Sequence, residues 1–132
     1  MRVIIDANIL VSAVLFKGGT ITKFLNTIFE NHTLVLTDTI INEARNVVGR
    51  KMPNLISDFD EFIDNMPYEF HHNDCGNFEN IKLRDEKDKH VITSAYIASA
   101  EILVTGDKDF FEYSYEIEVS TPSNFLAKYA AI

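Results

Sequence analysis

Four acids, Asp6, Glu43, Asp88 and Asp107, occupy positions from which carboxylates could be gathered into one site. Asp6 closes the run Val3-Ile4-Ile5, and Asp107 follows Ile102-Leu103-Val104-Thr105 across a single Gly106. Glu43 falls at the border of an apolar helical stripe formed by Ile40, Ile41, Ala44, Val47 and Val48. Asp88 precedes Val91, Ile92 and Ala95 by helical spacings, which puts a carboxylate inside an apolar face. A charge buried in that way is costly unless it is paired or coordinates a cation. If the four groups lay ~6 Å apart at an effective dielectric near 20, each pair would repel by roughly 3 kcal/mol and the set by on the order of 15 kcal/mol. Protons or cations must offset such repulsion, and oxygen donors of this kind suit Mg²⁺ or Mn²⁺. Taken singly, each acid also has a plainer role. Asp85 and Asp88 resemble a helix-capping pair, Glu43 an ordinary helix-edge residue, and Asp107 with Asp109 a turn.

The elements that must position these groups follow from periodicity. Arg2 to Ile5 is a short β-branched run suited to a strand buried on both faces, and Thr33 to Leu36 reads as a second. Between them Ile21, Phe24, Leu25 and Ile28 recur at helical spacing. Asp38 or Thr39 would cap the next helix, which should end near Gly49. Leu55, Ile56, Phe59, Phe62, Ile63 and Met66 mark another helix, whose acids Asp58, Asp60, Glu61 and Asp64 form its solvated side. Tyr68 to His71 reads as a third strand, Asn73 to Leu83 as mostly loop, and Glu86 to Ala100 as a helix capped by Asp85. Ile102 to Thr105 and Ile117 to Val119 complete the strands, and Thr121-Pro122-Ser123 opens a terminal helix. This alternation predicts a mostly parallel sheet of four to five strands between helices, in which sites form at the carboxyl ends of the strands.

Composition narrows the function classes. The 132 residues are 46% hydrophobic and 24% charged, with 5 Gly and 3 Pro, as expected for one globular domain. The apolar run Ile9 to Leu15 is far shorter than a bilayer needs, and no secretory pattern opens the chain, so the cytoplasm is the expected compartment. The single Cys75 cannot form an internal disulfide. With 12 Lys+Arg against 20 Asp+Glu, the net charge of −8 opposes passive coating of nucleic acid. An enzyme whose acids are charge-inverted by bound cations escapes that objection. Candidate phosphate-steering cations are Arg45, Arg50, Lys51, Lys87, Lys89 and Lys108. His71-His72-Asn73-Asp74-Cys75 lacks a second ligand cluster at zinc spacing. The aromatics Phe110, Phe111, Tyr113 and Tyr115 suit core packing or base stacking.

The segments Val3-Ile4-Ile5-Asp6-Ala7-Asn8, Ile41-Asn42-Glu43, Asp88 before Val91-Ile92-Thr93-Ser94-Ala95, and Leu103-Val104-Thr105-Gly106-Asp107-Lys108-Asp109-Phe110 together resemble a PIN domain. The resemblance is to the small bacterial PIN proteins of toxin–antitoxin pairs and extends to Thr121-Pro122-Ser123-Asn124-Phe125-Leu126. It implies a single PIN-like domain over residues 1–132 with a three-layer α/β/α fold. It further implies that Asp6, Glu43, Asp88 and Asp107 bind one or two divalent cations for cleavage of single-stranded RNA. Asp109 would be an auxiliary acid, and Asn8 and Thr105 would support the ligands. The expected activity is an Mg²⁺- or Mn²⁺-dependent endoribonuclease leaving a 5′-phosphate and a 3′-hydroxyl. The expected partners are single-stranded or structured RNA, a protein antitoxin and a second copy of the chain. Two alternatives stay open. One is a non-catalytic RNA- or protein-binding module. The other is a haloacid-dehalogenase-like phosphatase with Asp6 as nucleophile, although that chemistry wants an acid where Asn8 stands.

Overall fold

The β-branched run at the start of the chain forms strand β1 (Arg2–Ile5), whose Val3, Ile4 and Ile5 are fully buried in the computed structural model. The structure describes residues 1–16, 19–72, 94–107 and 117–129. Strands β2 (Thr33–Thr37) and β3 (Glu69–His71) extend the sheet on one side of β1, and β4 (Ile102–Val104) and β5 (Glu118–Ser120) on the other. The order β3-β2-β1-β4-β5 is parallel at every pairing. A parallel sheet needs a crossover after each strand and covers its faces with helices, which gives the α/β/α layering expected. The sheet is entirely parallel among the described residues, where a mostly parallel one was anticipated.

Helix α1 (Ala7–Leu15) begins directly after β1 and has no counterpart in the periodicity reading. Ala7, Ile9, Leu10, Val11, Ala13 and Val14 are all buried, so the helix is apolar on nearly every side and shows no stripe to betray its period. Helix α2 (Thr20–Asn31) buries Phe24, Leu25 and Ile28, and α3 (Asp38–Lys51) buries Ile40, Ala44 and Val48. The N-cap of α3 is Thr37, whose hydroxyl accepts from the Ile40 N–H at 3.4 Å. Asp38, expected as a cap, is the first helical residue and accepts from the Thr39 N–H at 2.9 Å. The helix also passes Gly49 and ends at Lys51, with Arg50 and Lys51 complementing its dipole. A 3₁₀ turn (Pro53–Leu55) leads into α4 (Ile56–Asn65), which buries Phe59 and Ile63. The terminal helix α5 (Pro122–Tyr129) inserts Phe125 edge-on against Phe24, with ring centroids 5.2 Å apart. Among the described residues no single helix is long and apolar enough to cross a membrane.

A helical segment over residues 94–97 ends in a left-handed turn at Ser99, whose φ is 54°. The Ala100 N–H returns to the Ala95 carbonyl at 2.9 Å and the Ser99 N–H to the Tyr96 carbonyl at 3.1 Å, the bonding of a Schellman cap. Arg2 reaches this end from β1, donating from Nη2 to the Ala98 carbonyl at 2.6 Å while pairing with Glu69 of β3. The expected loop from Asn73 to Leu83, the Asp85 cap, the helix before residue 94, Lys89, Cys75 and the aromatics from Phe110 to Tyr115 lie outside the described residues.

Candidate active site

The register of β1 against β4 pairs Ile5 with Val104, so the next residues on each strand, Asp6 and Thr105, meet at the carboxyl rim. Both are buried, Asp6 at 4% exposure and Thr105 at 0%. Asp6 is also the N-cap of α1, and its Oδ1 accepts from the Ile9 N–H at 3.0 Å. The Thr105 hydroxyl donates to Asp6 Oδ2 and accepts from the Asp107 N–H at 3.0 Å. One hydroxyl thus ties the first acid of the chain to the loop that carries Asp107. Among the described residues each carboxylate oxygen of Asp6 takes one hydrogen bond, and a carboxylate oxygen can accept more than one.

Burial pushes the Asp6 carboxyl above the usual aspartate range. The hydrogen bonds from Thr105 and Ile9 oppose that shift, and the negative charges of Asp107 and Glu43 add to it. Three of the four acids read from the sequence are therefore close enough for the charges of two to be felt at the third. Glu43 is half-buried on α3, which packs against α1. Among the described residues no group of three His, Cys, Asp or Glu side chains converges closely enough to hold a metal ion. Asp88, Asp109, Lys87 and Lys108 lie outside the described residues.

The remaining expected residues divide by position. Asn8 is exposed in the first turn of α1, two residues past Asp6 on the same rim. Arg45 is engaged by Asp60 of α4, with Nε to Oδ1 at 2.9 Å and Nη2 to Oδ2 at 3.0 Å, so its guanidinium joins two helices. Arg50 is exposed in the last turn of α3. The strand-and-motif reading missed a hydroxyl pair at the same end of the sheet. Thr37 of β2 and Ser94 are buried and share a hydrogen bond of 2.7 Å. Both were visible as polar residues bordering apolar runs, but only the fold brings them together.

Residues 2–109 match the model of the PIN domain family. No curated protein sequence matches the chain. Solved structures with the same fold include VapBC2 from Rickettsia felis bound to a DNA fragment from the promoter, at 14% identity and a TM-score of 0.72 over 92% of this chain and 98% of that one. DNA-bound VapBC from Salmonella typhimurium is similar at 11% identity and a TM-score of 0.67, again over 92% and 98%. VapC20 from Mycobacterium tuberculosis, a sarcin-ricin-loop-cleaving toxin, is similar at 6% identity and a TM-score of 0.59 over 83% and 93%.

Proposed function

The chain belongs to the PIN domain family, and from that premise we propose that it is a divalent-cation-dependent endoribonuclease acting on single-stranded RNA, the toxin of a toxin–antitoxin pair. The observation that carries the reading is Asp6, a buried carboxylate held on both oxygens and raised in pKa by its burial and by the charges of Asp107 and Glu43. Such a group is tolerable when a cation shares it. An oxygen-only, anionic donor set is also what hard divalent ions prefer, so the residues present fit Mg²⁺ or Mn²⁺. A relative that is a sarcin-ricin-loop-cleaving toxin supports the cleavage and the toxin role, and VapBC assemblies bound to DNA support a protein partner.

In this reading Asp6, Glu43, Asp88 and Asp107 hold the cation, with Asp109 as an auxiliary acid. Thr105 and the first turn of α1 fix the plane of the Asp6 carboxylate, and Asn8, two residues on, orients a ligand or water. When bound, the cation supplies positive charge that offsets the acids and polarises a phosphoryl oxygen. The products are a 5′-phosphate and a 3′-hydroxyl. An antitoxin covering the acidic cleft or the helices around it, and a homodimer, belong to the same reading on family likeness alone, as does a cytoplasmic location. The phosphatase alternative lacks its second acid, since Asn8 occupies that place.

The test is cleavage of single-stranded RNA by the wild type and by Asp6→Asn, with Mg²⁺ or Mn²⁺ and with chelator. Loss of a supporting residue around a metal costs about 10–100-fold, so loss of the ligand itself should lower turnover by more than about 100-fold, with an unchanged circular dichroism spectrum. Undiminished cation-dependent turnover in Asp6→Asn rejects the assignment. A wild type that takes up no Mn²⁺ in calorimetry favours the non-catalytic binding module.

A further inference from the structure

The outward face of α3 carries polar groups at helical spacing. Thr39, the adjacent pair Asn42 and Glu43, Asn46 and Arg50 recur at three- to four-residue intervals and so share one side of the helix, away from the buried Ile40, Ala44 and Val48. They line a groove of about 890 Å³. The groove includes Glu43, the acid on this helix whose charge is felt at Asp6. The groove is less acidic than the chain as a whole. The whole sequence carries −8, yet among the described lining residues Arg45 and Arg50 face a single acid, Glu43. Arg45 is held by Asp60 and braces α3 against α4 along the groove, whereas Arg50 makes no ion pair among the described residues.

We propose, resting on the RNA-cleavage reading, that this groove carries the substrate strand away from the scissile bond, with Asn42 and Asn46 hydrogen-bonding nucleotides and Arg50 pairing with a phosphate. Seven helical steps separate Glu43 from Arg50, a rise of about 10 Å at ~1.5 Å per residue. That is the length of about three nucleotides at ~3.4 Å each in a stacked strand, less if the strand is extended. Carboxamides both donate and accept without charge, which suits 2′-hydroxyls and the open base edges of an unpaired strand. A guanidinium adds a two-pronged grip on phosphate that a lysine would not.

The experiment measures binding of a labelled, mixed-sequence 20-nucleotide RNA to the Asp6→Asn protein by fluorescence anisotropy across a salt series. Adding Arg50→Ala should weaken binding by about 3–10-fold near 0.1 M salt and make the log–log salt dependence shallower by about 0.7, the value for one lost phosphate contact on a single strand. Arg50→Lys should keep the steeper slope with weaker affinity. Asn46→Ala should weaken binding by about 3-fold with the slope unmoved, since no charge is lost. Lys23→Ala, which removes a charge from the exposed side of α2, should change neither quantity. A slope unmoved by Arg50→Ala, or moved equally by Lys23→Ala, overturns the inference. So does a dimer that becomes monomeric in Arg50→Ala with RNA affinity retained, because the face would then belong to a second copy. Wild-type cleavage measured in parallel separates the two claims. Cleavage with an unmoved slope removes the groove alone, whereas a shifted slope without cleavage removes the nuclease reading and keeps the groove as an RNA-binding surface.

Discussion

The Thr105 hydroxyl is the smallest part on which the site depends. It donates to buried Asp6 and accepts from the Asp107 backbone, so Thr105→Val leaves two groups short of a partner in a nearly isosteric side chain. A buried group left unsatisfied costs about 1–3 kcal/mol, and a displaced supporting residue about 10–100-fold in metal affinity or activity. Thr105→Val is therefore expected to lower both melting temperature and cleavage, and Thr105→Ser to restore most of each. Equal cleavage by Thr105→Val and wild type would show that the hydroxyl positions nothing. The importance of Asp6 was legible at this scale, because an acid ending a buried parallel strand stands at the rim where sites form, although its second role as the N-cap of α1 was not. The Thr105 link was legible only as resemblance, since it depends on the register of β1 against β4. The pairing of Arg45 was hidden for a similar reason: Asp60 looks like one of several solvated acids until α3 and α4 are packed.

Among the elements, the end of the 94–97 helical segment and the seat of α5 offer direct tests. Ser99 adopts a left-handed φ of 54°, a conformation that costs an L-residue roughly 1 kcal/mol and glycine almost nothing. Ser99→Gly should raise the melting temperature by a few degrees, and a fall would mean that the Ser99 side chain is needed there. The α5 seat is electrostatic as well as aromatic. Lys128 Nζ lies 2.6 Å from Glu118 Oε1 and the Tyr129 hydroxyl donates to Oε2 at 2.7 Å, holding the Glu118 carboxyl below its ordinary range. A depressed folded-state pKa contributes stability above the unfolded value near 4.5 that is lost as pH falls through the lower folded value. Glu118→Gln should therefore destabilise at pH 7, by at most about 1 kcal/mol given its exposure, and much less at pH 3. Equal losses at both values would contradict the ion pair. Periodicity revealed α2, α3 and α4 because each has a wet side, and it failed for α1 because that helix has almost none.

For the molecule as a whole, the charge concentrated at the rim sets stability against activity. An acid whose folded-state pKa lies above its unfolded value loses stability as pH rises from the unfolded value through the folded one, so Asp6 weakens the native state at neutral pH relative to acid pH. Asp6→Asn keeps an N-cap and removes the charge. It should melt higher than the wild type in chelator at pH 7, by about 1 kcal/mol or about 4 °C. Mn²⁺ at about 100 times its dissociation constant should add about 2.7 kcal/mol to the wild type and far less to the variant. A lower melting temperature for Asp6→Asn in chelator, or equal cation shifts, would contradict this account. The strand order has one more consequence. β1 is made first yet occupies the middle of the sheet, and the hydroxyl that grips Asp6 lies 99 positions further along the polypeptide. The rim does not exist until the ribosome has translated past Asp107, so a nascent chain emerges without an assembled acidic centre while its own message is still being read.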